Sequence, residues 1–297
     1  SDVERVAIGP AIDGIVYWGV KQYDLILDAN GKVIEARLFR NNEHYRTEFS
    51  KNGQPTKNIF YFRKGDKTVS VEIAAQDNVA GLDMLVLEEH LKKVVDDLQA
   101  ENPEIRNVII EGIYKAGATI DGISTEGISI VAKAYGPKGN DQLIDKYEYF
   151  FTLNGQIVTR KNSWGTNGWQ TKTYGNGYYD VAYFDNPTEK LVSAERRFAN
   201  PSATATITKV YKETRDPKVS ASVNTLVKDI QTLYPGTNRF TVESVEKAGT
   251  GTKITGKSWE LSGAEVLSFI EYAYQFNGSG AVVERVIRKD GMKTVTT

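Results

Sequence analysis

One segment of the sequence satisfies a motif for phosphate binding. Gly251 to Ser258 match the pattern GxxxxGK(S/T), in which backbone N–H groups surround a phosphate, a lysine contacts it and a hydroxyl binds Mg²⁺. That chemistry needs a buried strand before the motif and a helix directly after it. Trp259 to Gly263 do not favour a helix, and the related segment Ala118 to Gly127 has no Gly-Lys pair. We therefore interpret Gly251 to Ser258 as a Thr- and Gly-rich hairpin and predict no nucleotide site.

A second pattern concerns metal ions. Asp28-Ala29-Asn30-Gly31 has the first ligands of a calcium loop, but the next spaced ligand and the closing glutamate are missing. A hairpin turn with positive φ explains it, because the same turn signal returns at Asn154-Gly155 and Asn277-Gly278. The chain has no cysteine and only two histidines, His44 and His90, which argues against disulfides, thiolate chemistry and His- or Cys-rich metal sites. We expect no metal and no other cofactor.

The sequence offers little support for acid–base or nucleophilic catalysis. The carboxylate pairs Glu88-Glu89 and Asp96-Asp97 occupy adjacent helical positions and therefore point apart. No nucleophile-elbow pattern is present. With 37 basic and 38 acidic side chains and no block of like charge, the chain has no field that favours nucleic acid. The sequence contains no run of 18 apolar residues, so we predict no transmembrane segment. We expect no catalytic residues, with a hydrolase as the enzymatic alternative.

The remaining candidate site is aromatic. The side chains lie within sixteen residues and are separated by glycines and asparagines: Trp164, Trp169, Tyr174, Tyr178 and Tyr179. Exposed aromatics on such hairpins provide large, rigid contact areas for a protein partner, or stacking surfaces for a sugar. The structural alternative is that they pack into the core from one hairpin face. We take these five as the predicted ligand-binding residues.

The elements that must position these residues repeat along the chain. Lys93 to Gln99 returns as Leu226 to Gln231, each followed by a proline, and Tyr23 to Lys32 returns as Tyr147 to Gln156. A looser third copy of the latter begins at Tyr272. The period of about 125 to 130 residues indicates one structural unit used more than twice.

Each complete unit begins with a predicted helix. In the last copy Asp216-Pro217 supplies an N-cap carboxylate and a proline at the first helical position. Apolar residues from Val219 to Leu233, and from Met84 to Leu98 in the middle copy, then recur at helical spacing. Period-two segments follow, so the order is one helix and then about four antiparallel strands.

This order predicts an α+β fold, with tandem repeats of one amphipathic helix packed on an antiparallel β-sheet. We expect three parts: residues 1–80 as a partial first repeat of β-hairpins without a helix, residues 81–205 as the complete middle repeat, and residues 206–297 as the last repeat. The partial copies either leave ragged ends on a linear array or complete one another.

The layout of helix, Tyr-Pro-Gly-like stop and four strands resembles PepSY-like and β-lactamase-inhibitor-like units of secreted or periplasmic bacterial proteins. Leu226 to Gly236, Val242 to Glu246 and the hairpin around Asn277-Gly278 carry the resemblance. It covers about 70 residues in each of the last two copies and only the hairpin in the first. It implies a non-catalytic, extracytoplasmic binding role. It transfers no functional residue, because such units share no catalytic motif.

We therefore expect a non-enzymatic bacterial protein that is periplasmic, secreted or on the cell surface. It would recognise a protein or peptide through the hairpins that run from Trp164 to Tyr179. A carbohydrate-binding protein using the same aromatics is the first alternative. An architectural segment of a larger surface protein is the second.

Overall fold

The computed structural model is dominated by β-strands. It describes residues 22–40, 43–74, 84–120, 123–136, 142–164, 168–198, 203–206, 216–289 and 292–296. Strand accounts for 65% of these residues and helix for 15%. The chain divides into two compact units, one of residues 1–118 and 125–162 and the other of residues 119–124 and 163–297.

In its described residues, the first unit contains all or most of nine strands and one helix. These are β1 (Gln22–Leu27), β2 (Val33–Arg40), β3 (Glu43–Phe49), β4 (Pro55–Lys64), β5 (Lys67–Ala74), α1 (Met84–Glu101), β6 (Asn107–Ile120), β7 (Ile123–Tyr135), β8 (Leu143–Thr152) and β9 (Ile157–Trp164). Strands β1 to β5 form an antiparallel meander, and β7, β8 and β9 are antiparallel neighbours. Strands β5 and β6 are parallel, with Val71 opposite Val108.

Helix α1 is the crossover between these parallel strands. Two parallel neighbours cannot be joined by a tight turn, so the chain must cross the sheet face, and a helix is the usual connection. The helix buries Leu91, Val94, Val95 and Leu98 against the sheet, as the apolar spacing predicts. The facing strands contribute larger side chains to the same core, including Phe60, Tyr149 and Phe151.

The second unit repeats this plan. Its elements are β10 (Gly168–Gly175), β11 (Tyr178–Asp185), β12 (Leu191–Phe198), β13 (Ala203–Thr206), α2 (Pro217–Leu233), β14 (Arg239–Ala248), β15 (Gly251–Ser262), β16 (Glu265–Phe276), β17 (Val282–Lys289) and β18 (Met292–Thr296). Strands β10 to β13 are antiparallel, as are β14 to β18, and β13 is parallel to β14.

Helix α2 connects the parallel pair β13 and β14. The Asp216 carboxylate accepts hydrogen bonds from the backbone N–H groups of Lys218 (2.8 Å) and Val219 (3.3 Å), and Pro217 is the first helical residue. The predicted N-cap is therefore confirmed. The helix buries Val223, Leu226, Val227 and Ile230 against Phe240, Ile254, Tyr274 and Phe276 of the sheet.

The predicted α+β class of tandem helix-on-antiparallel-sheet repeats is wrong. Only two helices occur among the residues that the structure describes, and each joins parallel strands inside a mixed, strand-dominated sheet. The parallel pairs were not predicted because each joins strands on either side of a helix, and β13, Ala-Thr-Ala-Thr, is also too short to show a period. The three-part division at residues 80 and 205 stays a prediction.

A hairpin turn occurs at all three predicted places, but the residues of the third turn align differently from the prediction. Gly31 and Gly155 have φ of 80° and 78°, as the Asn-Gly signal predicts. In the third turn the positive φ belongs to Gly280 (83°), which donates its N–H to Asn277 O as Gly31 donates to Asp28 O. Asn277 therefore corresponds to Asp28, and Asn277-Gly278 is not the equivalent of the earlier Asn-Gly pairs.

Candidate functional site

Strands β10 and β11 divide the predicted aromatic residues between two faces of one hairpin. Tyr174 lies opposite Tyr179, and Trp169 lies opposite Phe184. Side chains alternate along each strand, so Tyr174 and Tyr179 share one face while Trp169 and Tyr178 belong to the other. The latter face packs on α2. Trp164 is the last residue of β9, and its side chain lies outside the described residues.

Lys172 contacts the rings of both Tyr174 and Tyr179, on the hairpin face that points away from α2. Its Nζ lies 4.9 Å from the ring centroid of Tyr174 and 4.3 Å from that of Tyr179. The two centroids are 6.4 Å apart, both rings are half-buried, and Lys172 is only 6% exposed. An ammonium held against two aromatic rings gains cation–π attraction. We call Lys172, Tyr174 and Tyr179 the tyrosine platform.

Arg197 of β12 lies directly opposite Tyr179 and borders the platform. Its guanidinium donates two hydrogen bonds of 3.2 Å to Glu195. Burial acts to lower the pKa of Arg197, but hydrogen bonds and charge from Tyr179 and Glu195 outweigh burial and raise it. A cationic side chain, Arg197, therefore borders the platform, and its hydrogen bonds to Glu195 fix its position.

Trp169 forms a stacked pair with Phe184 on the opposite face of the hairpin. The ring centroids are 4.1 Å apart and the planes differ by 11°. Both side chains are half-buried. One side of the indole is therefore covered by Phe184, which fixes the orientation of the Trp169 ring.

Tyr178 connects the hairpin to α2. Its hydroxyl lies 3.2 Å from Ser220 Oγ, and the Arg196 guanidinium lies 4.1 Å from its ring centroid. Arg196 is 1% exposed and forms two hydrogen bonds to the Asp180 carboxylate, of 2.7 and 2.9 Å. Its Nη1 also donates to Asn224 Oδ1 of α2 (2.7 Å). Tyr178 therefore belongs to a buried polar contact that fixes the helix, and no periodicity in the sequence indicates that contact.

The remaining sequence motifs lie in strands and turns. Gly251 to Ser258 belongs to β15, whose residues pair with both β14 and β16, so its N–H groups cannot surround a phosphate. The Asp28 carboxylate accepts hydrogen bonds from the N–H groups of Lys32 and Asn30, both 2.9 Å. These bonds, that of Lys32 first, lower the pKa of Asp28. In the described ranges no cluster of three His, Asp or Glu side chains is arranged to hold a metal ion.

Comparison of the sequence with known proteins gives no assignment: no family model matches the chain, and neither does any curated protein. The resemblance to PepSY-like units therefore stays a prediction. Within the described part of the chain, no helix has both the length and the apolar character to cross a membrane.

Proposed function

We propose that this is a non-enzymatic, extracytoplasmic binding protein that recognises a protein or peptide through the tyrosine platform. The observation that supports this most strongly is the pairing of Tyr174 and Tyr179 across Lys172, on the face turned away from α2. The extracytoplasmic location rests on the sequence resemblance to secreted bacterial units.

The chemistry of the platform suits protein recognition. Tyrosine contributes a large apolar ring and a hydroxyl while losing little conformational entropy, so it is enriched among residues that dominate binding energy. Here the rings are held by Lys172 and by each other before any partner arrives. Preorganisation of this kind reduces the free-energy cost of ordering side chains on association.

Alanine variants of the platform test the proposal. The wild-type protein, immobilised, is used to capture a partner from the extracytoplasmic fraction of the producing cells, and the affinity of the purified partner is then measured. We expect Tyr174→Ala with Tyr179→Ala to weaken that affinity at least about tenfold. Tyr114→Ala is the matched control, because Tyr114 is 55% exposed and lies on β6 of the other unit. Equal affinity of the double variant and the wild type would reject the platform as the contact surface.

A carbohydrate-binding function is the alternative, favoured by the half-buried, stacked indole of Trp169. Sugars bind on aromatic rings that are rigid and partly exposed. Retardation of the protein in polysaccharide-containing gels, abolished by Trp169→Ala, would support the alternative. The protein-binding proposal expects no retardation on sugar.

A further inference from the structure

A groove of about 430 Å³ lies in the second unit, on the sheet formed by β14 to β17. Tyr274 and Ile254 point to the other face of this sheet, where they pack with α2. Their neighbours in the strands, Ala273 and Thr255, therefore point away from the helix and into the groove. None of the residues that line the groove belongs to the tyrosine platform.

The floor of the groove consists of small side chains. Thr255, Ala273 and Val286 lie directly opposite one another on three adjacent strands. Gly256 also contributes to the lining. A Cβ at Gly256 would lie 2.0 Å from Thr241 O and 2.4 Å from the Tyr272 hydroxyl, so this position requires glycine. The floor therefore consists of two small apolar side chains and one threonine, beside a backbone position that admits no side chain.

Charged residues border this floor on two sides. On one side Lys257, Glu271 and Arg288 are opposite one another, and Lys257 is paired with Glu243 (2.8 Å). The other side is the row proposed to bind the ligand. Lys253, Gln275 and Glu284 are opposite one another on β15, β16 and β17. Two strand spacings separate the outer residues, which places their backbones roughly 9–10 Å apart. Among the residues that the structure describes, neither Lys253 nor Glu284 has an ion-pair partner within 4 Å. Glu246 of β14, opposite Lys253, extends the row, so Lys253 lies between Glu246 and Gln275, and Glu284 lies on the far side of the amide.

We propose that this groove binds a short peptide with free termini, of about dipeptide length. The terminal carboxylate pairs with Lys253 and the terminal ammonium with Glu284. Gln275, whose amide is both donor and acceptor, hydrogen-bonds the peptide group between them. The side chains of the ligand rest on Ala273 and its neighbours. This inference is independent of the proposed function of the tyrosine platform.

The first unit provides an internal comparison. Tyr149 and Tyr274 are equivalent, because each donates a hydrogen bond to the corresponding helix aspartate. The residues that flank them, Glu148 and Phe150, therefore correspond to Ala273 and Gln275. Phe150 is buried and cannot replace the glutamine amide. The peptide site is therefore specific to the second unit. The variant Ala273→Glu places in the groove floor the residue type that the first unit has at the equivalent position, Glu148.

Calorimetric titration of the full chain with the dipeptide Ala-Ala tests the proposal. We expect saturable one-to-one binding, and at least about tenfold weaker binding of the doubly blocked N-acetyl-Ala-Ala amide. Lys253→Met and Glu284→Gln should each weaken Ala-Ala binding about three- to tenfold. Ala273→Glu should remove it.

Two control variants test whether any loss of binding is specific to the groove. Lys247→Met removes an exposed lysine of β14 that does not line the groove and should leave binding unchanged. Tyr174→Ala with Tyr179→Ala should also leave it unchanged, which separates this site from the platform. Absence of saturable binding, equal binding of the blocked peptide, or unchanged binding by a correctly folded Ala273→Glu variant would overturn the proposal.

Discussion

Arg160 donates a hydrogen bond of 2.8 Å from Nη1 to Oδ2 of Asp97, and this pair ties β9 to α1. The two side chains are only 1% and 9% exposed. Tyr149 of β8 donates to the same oxygen (2.9 Å), and Arg160 also donates to Glu101 (2.8 Å). The second unit has the equivalent cluster, in which Tyr274 and Arg285 both donate to Asp229, but its ion pair is more exposed, at 26% and 30%.

Removing the buried charge should cost more than removing its exposed counterpart. Asp97→Asn leaves Glu101 as the remaining anionic partner of the buried Arg160 guanidinium, and we expect a loss of about 2 kcal/mol in the free energy of unfolding. Asp229→Asn, the matched substitution, should cost about 1 kcal/mol because solvent screens the Arg285 charge. Urea denaturation of the two variants measures both values. Equal losses would show that burial does not distinguish the clusters.

Alkaline pH should destabilise the protein through its buried tyrosines. Burial, then the charge of Asp145, raises the pKa of Tyr147 from 10.0 to about 12. Burial also raises the pKa of Tyr272 and Tyr274 far above the ordinary value. A raised pKa means that the folded state holds its proton longer, so stability is complete below pH 10 and falls as pH rises from 10 towards 12.

Tyr147→Phe should make this alkaline decline less steep, while Tyr272 and Tyr274 continue to contribute to it. The measurement is the urea midpoint at several pH values, together with tyrosinate ultraviolet absorbance. A decline of the same steepness in Tyr147→Phe would contradict the assigned contribution.

Acid pH should act through His44. Its ring stacks on Tyr61 with centroids 4.2 Å apart, and burial, followed by the charge of Arg37, lowers its pKa below 6.5. A lowered pKa means that the unfolded state binds the proton first. The stabilising contribution is therefore present above pH 6.5 and is lost as pH falls through the folded pKa. NMR titration of the imidazole, assigned with His44→Phe, should give a pKa under 6.5. A higher value would contradict burial as the dominant influence on His44.

Tyr178 should behave as a structural residue and Tyr174 as a surface residue. Tyr178→Ala removes the contact with Ser220 and the ring beneath Arg196, and should cost about 3 kcal/mol. Tyr178→Phe removes the hydroxyl alone and should cost about 1 kcal/mol. Tyr174→Ala should also cost about 1 kcal/mol, since the ring is half-buried at the end of a hairpin. Thermal or urea denaturation ranks the three, and a Tyr174→Ala loss equal to that of Tyr178→Ala would mean that the platform is core.

The helices were predictable because their signals are local. The Asp216-Pro217 cap and the apolar spacing of α2 specify its start and its buried face without reference to the rest of the chain. The parallel pairing of β13 with β14 is not local, because it joins residues on either side of a helix. The predicted fold class was wrong for this reason, since the sequence of a four-residue strand does not indicate which strand it pairs with.

Two of the five predicted aromatics, Tyr174 and Tyr179, belong to the tyrosine platform, and the five residues stay a predicted ligand-binding set. Sequence clustering identifies the aromatics, yet the faces on which they lie depend on the pairing of Tyr174 with Tyr179 across the turn. A register shifted by one residue would have reversed every side chain. Nothing in the sequence indicates that Lys172 is buried between the rings or that Arg196 pairs with Asp180.

Site-specific photo-crosslinking is the most direct test of recognition through the tyrosine platform. Benzoylphenylalanine is introduced at position 179, and separately at position 114 as the control, in the cells that produce the protein. We predict a single discrete protein adduct from position 179, lost when Tyr174→Ala is added, and no adduct from position 114. The same adduct from both positions, or none from position 179, would contradict the account.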